Sequence, residues 1–138
     1  VPGIVDTRIT TTHTEGVGAS RNVYQKRGGF LQETVTEWQE GVGFTLRLHK
    51  HDKDAPFRNA WFRYALADVT PGVTRLTATM GYQLPLGSLG ELLDSLLLRR
   101  IIQGVIGDVA LSLKYYYEQG TTASKAQLRD MRSQLLPA

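Results

Sequence analysis

Five turn signals, Glu15-Gly16, Gly28-Gly29, Glu40-Gly41, the stretch 52–56 and Thr70-Pro71-Gly72, cut the first 84 residues into short segments. The segments near 6–13, 18–26, 31–39, 43–51, 57–68 and 73–84 are rich in Thr, Val, Tyr, Phe and Trp, which suit a pleated, half-buried surface. Gly-Gly takes positive φ cheaply, and Pro-Gly suits a tight turn. Parallel strands need crossovers of roughly a dozen residues or more. Connections this short therefore predict an antiparallel meander.

Alternation gives that meander two unlike faces. Phe44, Leu46 and Leu48 share one side against Thr45, Arg47 and His49. Further on, Leu76, Ala78, Met80, Tyr82 and Leu84 oppose Arg75, Thr77, Thr79 and Gln83. An apolar sheet face needs a cover, and the next segment supplies one. Ser88-Leu89-Gly90-Glu91 reads as a capping box, and from there to Gln119 the pattern predicts one helix of roughly 30 residues, or ~45 Å. Leu89, Leu93, Leu96, Leu97, Ile101, Val105, Ile106, Val109 and Leu113 recur at helical spacing, and Gly120 is a natural stop. Gly104 and Gly107 each cost ~1 kcal/mol relative to Ala inside a helix, so a close backbone approach or room for a ligand is expected there. Residues 121–138 hold a second cap, Ser124-Lys125-Ala126-Gln127, before an amphipathic stretch. A terminal helix, a dimer contact and a frayed end all remain open for it.

At 138 residues the chain has the size of a single domain, here 1–120 with a tail at 121–138. It has no cysteine, which excludes disulfides, thiolate nucleophiles and cysteine-ligated metals, and fits a reducing, cytoplasmic setting. The net charge of +3 comes from scattered residues, not from the dense basic stripe that nucleic acid requires. The uncharged stretch 101–107 falls far short of the ~20 apolar residues of a membrane span. The start, Val1-Pro2-Gly3, has neither the basic region nor the apolar region of a signal peptide, and it lacks an initiator Met.

Several local runs resemble one family. They are Gly16-Val17-Gly18-Ala19-Ser20-Arg21, Gly28-Gly29, Glu33-Thr34-Val35-Thr36-Glu37-Trp38, Thr70-Pro71-Gly72-Val73-Thr74-Arg75-Leu76, and Gly87 with the helix ending Leu113-Lys114-Tyr115-Tyr116-Tyr117-Glu118. Together with a six-strand meander wrapped on a long C-terminal helix, they resemble the START-like (SRPBCC) superfamily, closest to its bacterial polyketide cyclase/dehydrase and lipid-transport-like branch. The resemblance covers about residues 2–119. It implies an α+β helix-grip fold with a cavity between sheet and helix that binds a small hydrophobic molecule: a lipid, a polyketide or an aromatic metabolite. It also implies a further strand and two short helices upstream of Val1. A cyclase or dehydratase, and a protein-interaction or cochaperone-like module, are the alternatives. Neither cofactor nor metal is expected.

On this reading the ligand-binding residues are Arg21, Glu33, Trp38, Phe44, Trp61, Tyr64, Met80, Tyr82, Leu97 and Ile101. Arg21 and Glu33 are charges in half-apolar strands. Whether they point inward or form a solvated surface pair depends on one residue of hairpin register. The aromatics and Met80 suit a flat or flexible apolar ligand, although ordinary core packing is the favoured account of most of them. In 57–68 both faces are mixed, so either Trp61 or its neighbours Phe62 and Tyr64 look inward. His49 and His51, at i and i+2, have the spacing of metal ligands, but the apolar claim of Phe44, Leu46 and Leu48 on the inner face sends them outward. Gly16-Val17-Gly18 is not a dinucleotide loop, because Arg21 stands at the third glycine position and a strand follows. The three tyrosines 115–117 are expected to close the base of the grip, partly facing water.

Overall fold

A computed structural model of the chain describes residues 3–26, 28–50, 58–83 and 99–135. Six strands, β1 (Ile4–Ile9), β2 (Ser20–Gln25), β3 (Phe30–Gln39), β4 (Gly43–Lys50), β5 (Arg58–Thr70) and β6 (Val73–Gln83), form one sheet in sequence order. Every neighbouring pair is antiparallel. Among the described residues two helices follow, α1 (Arg99–Gln119) and α2 (Lys125–Leu135). The class is α+β, with an open sheet.

Turn chemistry sets the meander. Gly28, Gly41 and Gly72 adopt positive φ where the strands reverse. The first strand ends earlier than its threonines suggest. The Thr11 hydroxyl accepts from the Ser20 amide at 3.0 Å and donates to the His13 carbonyl at 2.8 Å. Such local side-chain bonds compete with the ladder, so residues 10–13 turn instead of extending.

The core lies on one side of the sheet. Ala19, Val35, Leu46 and Phe62 are buried together, and Phe44, Leu48, Tyr64, Ala78, Met80, Ile106 and Val109 pack around them. Ile106 and Val109 come from α1, so this is the helix-facing side. Ile102, Ile106, Val109 and Leu113 are the half-buried stripe of that helix, whereas Ile101 is 54% exposed. Ile101 therefore lies off the face expected for it, because the stripe in contact with the sheet begins one residue later. The expected cap at 88–91 and Leu97 lie outside the described residues.

At its C-terminus α1 stops at Gly120, with φ +69° and its amide donating to the Tyr116 carbonyl at 2.8 Å. Ser124 and Gln127 then cap α2 reciprocally: the Gln127 amide donates to Ser124 Oγ, and the Ser124 amide to Gln127 Oε1. This helix docks on α1 through Arg132, whose guanidinium donates to the Gly104 carbonyl and pairs with Asp108. The helix glycines thus sit where an arginine lies over the backbone. Leu128 is 2% exposed. Tyr116 and Tyr117 face water, at 52% and 75% exposure, while the Tyr115 hydroxyl accepts from Gln127.

Candidate functional site

The β2–β3 register decides the first question. Arg21 stands directly opposite Glu33, and Val23 directly opposite Leu31. Residues two apart in a strand share a face, so Arg21 lies on the side of buried Val23 and Glu33 on the side of buried Val35. Both charges are on the helix-facing side. Arg21 Nε donates to Glu33 Oε2 at 2.7 Å, and a terminal guanidinium nitrogen lies 2.7 Å from the same oxygen. The Glu33 side chain is 14% exposed and that of Arg21 46%. The carboxylate is thus nearly enclosed, while the guanidinium reaches the edge of the face.

A continuous aromatic row lies on the same face. The Trp38 and Phe44 rings stack at 5.6 Å, Phe44 and Tyr64 meet at 4.9 Å, and Tyr64 and Phe62 at 4.8 Å. Met80 pairs across from Phe62 and Ala78 across from Tyr64, and Tyr82 follows Met80 on that side of β6. Trp38 joins the row through a β-bulge. Val35 pairs with Leu46, but the next rungs are Glu37 with Thr45 and Trp38 with Phe44. The extra residue sends Glu37 to the outer face and brings Trp38 in.

Tyr64 ties the row to the ion pair. Burial, helped by the Glu33 carboxylate and opposed by the Arg21 charge, pushes its hydroxyl up to about 12. At any ordinary pH this phenol is a neutral hydrogen-bond donor or acceptor, set among apolar rings and within the field of the charge pair.

The structure therefore brings together Arg21, Glu33, Trp38, Phe44, Tyr64, Met80 and Tyr82. It does not bring Trp61, which points to the opposite face, leaving Phe62 as the inward aromatic that the mixed pattern of β5 concealed. Trp61 pairs with Gly81, where an added Cβ would stand 2.2 Å from the indole. That face also holds an open groove of about 450 Å³, lined by Thr36, Glu37, Thr45, Arg47, Asn59, Ala60, Trp61 and Arg63. The groove was hidden in the sequence because it depends on the β3 bulge and on the Trp61–Gly81 rung. His49 lies on this outer face, opposite Gln32, and burial followed by the nearby Arg47 charge lowers its pKa. His51 is outside the described residues.

No protein-family model and no curated protein matches the chain. Among the described residues, no helix is long and apolar enough to cross a membrane.

Proposed function

We propose that the chain is a helix-grip domain of the START-like kind, and that the helix-facing side of its sheet binds a small apolar molecule with one polar or anionic end. The observation behind this reading is the Arg21–Glu33 pair, set among apolar side chains on that face. An inward ion pair is a poor choice for stability alone, because desolvation offsets most of its attraction. It makes sense as an anchor. Glu33 occupies only part of a guanidinium with five donors, and the half-exposed remainder can hold a carboxylate or hydroxyl. The row Trp38–Phe44–Tyr64–Phe62 and Met80 would cover the apolar body. Tyr64, held far above neutrality, suits hydrogen bonding better than proton transfer, which favours binding over acid–base catalysis.

The test uses a fluorescent fatty acid and its methyl ester. Arg21→Gln is expected to weaken the acid about tenfold and the ester less than twofold, since a charge-assisted bond is lost while the apolar area stays. Equal losses would mean a damaged fold. Unchanged affinity for both, or no saturable binding by the wild type, would overturn the reading.

A further inference from the structure

We propose that the outer face of the sheet carries a second, independent ligand site, the groove beside Trp61, and that it takes a planar aromatic ring bearing one anionic group. Three observations converge there. The first is the placement of the indole. Trp61 lies against Gly81 on the neighbouring strand, where any Cβ would fall 2.2–2.4 Å from three of its ring atoms, so glycine is what lets the ring lie over the strand. It remains 39% exposed, a large apolar platform among the mostly polar side chains that line the groove.

The second is charge. Arg47 sits directly opposite Trp61 in the β4–β5 pair, and among the described residues it has no ion-pair partner. Arg63, two residues from Trp61 on the same face, is engaged by Glu37 at 3.3 Å, and the same carboxylate oxygen accepts from Thr45 Oγ1 at 2.7 Å. The lining therefore contains two positive charges and one negative, with the negative one already occupied. A bare indole would attract cations, but two flanking guanidinium groups repel them. An anion is the complementary charge.

The third is the backbone. Asn59 takes φ +47°, the one positive value outside glycine among the described residues, within the bulge between Arg58 and Trp61. Its side chain is pinned by Nδ2 donating to Gln83 Oε1 at 2.7 Å. Uncommon backbone conformations held by their surroundings cluster at binding sites. At about 450 Å³ the groove falls in the range of small-molecule sites and has room for a ring with one acidic substituent stacked on the indole.

The chain has two tryptophans, so the Trp61 indole N–H signal in a nitrogen–proton spectrum is assigned by comparison with Trp38→Phe. Titration with naphthalene-2-carboxylate is expected to move that signal saturably, and neutral 2-naphthylmethanol to bind about tenfold more weakly. Arg47→Gln, which leaves the platform intact, should weaken the acid by roughly the same factor. Arg21→Gln should leave the Trp61 response unchanged, which separates this site from the proposed one on the helix-facing side. Failure to saturate, an Arg47→Gln affinity equal to wild type, or loss of the Trp61 response in Arg21→Gln would each overturn the proposal. A single-stranded oligonucleotide that displaces the acid at lower concentration would overturn its choice of occupant.

Discussion

Gly41 and Gly43 stand two residues apart in one hairpin and answer different demands. Gly41 has φ +72° with open space around it, so Gly41→Ala should cost about 1 kcal/mol of backbone strain. Gly43 has φ +152°, and a Cβ there would lie 2.1 Å from the Tyr64 carbonyl on the next strand, which must move. Gly43→Ala should therefore cost more than about 3 kcal/mol by urea unfolding, and should disturb the Phe44–Tyr64 contact. Tyr64 gives a pH prediction. Its folded value of about 12 lies above the ordinary 10.0, so the buried neutral phenol contributes stability fully below pH 10 and loses it as pH rises toward 12. Between pH 9 and 11 that loss is about 1.3 kcal/mol, and it should be largely absent in Tyr64→Phe, as urea unfolding at the two pH values will show. The inward candidates Arg21 and Glu33 were visible as misplaced charges. Their facing was not, since one residue of slip exchanges the two faces.

At the scale of elements, the β3 bulge is the device that assembles the aromatic row. Deleting Thr36 removes the extra residue while Glu37 keeps its place opposite Thr45 and Trp38 opposite Phe44, so both keep their faces. With Trp61→Phe as background, the deletion should leave the Trp38 emission maximum and the binding of the fluorescent acid nearly unchanged. A red-shifted emission would mean that Trp38 is not placed by its pairing with Phe44. Docking of α2 is governed by burial more than by charge. Leu128→Ala should cost roughly 2–5 kcal/mol, whereas Arg132→Ala, which breaks a half-exposed pair, should cost about 1 kcal/mol or less by thermal unfolding. Elements were the most legible part of the sequence. Alternation in β4 and β6, Gly41, Pro71-Gly72, Gly120 and the Ser124–Gln127 cap all name their structures. The bulge was illegible because nothing in Glu33-Thr34-Val35-Thr36-Glu37-Trp38 marks which residue is extra. Ile101 was misplaced because adjacent apolar stripes on a helix differ by one residue, and only the partner sheet selects between them.

For the molecule as a whole, the physical picture is a single open sheet with two chemically distinct faces. One packs under α1 and combines a buried core, an aromatic row and an ion pair; the other carries Trp61 beside Arg47, Arg63 and Glu37, and the Tyr24–Phe30 pair further along. Order of strands and composition of faces followed from the residues, while the sites depend on register and so had to come from the fold. The central claim is that the helix-facing side binds an apolar acid through Arg21. The most direct test is a nitrogen–proton spectrum of the protein titrated with dodecanoate. Saturable shifts concentrated at Arg21, Glu33, Phe44, Tyr64 and Met80, with the Arg21 response missing for methyl dodecanoate, are the predicted result. Shifts confined to the outer face around Arg47 and Trp61, or no saturable shifts at all, would contradict it.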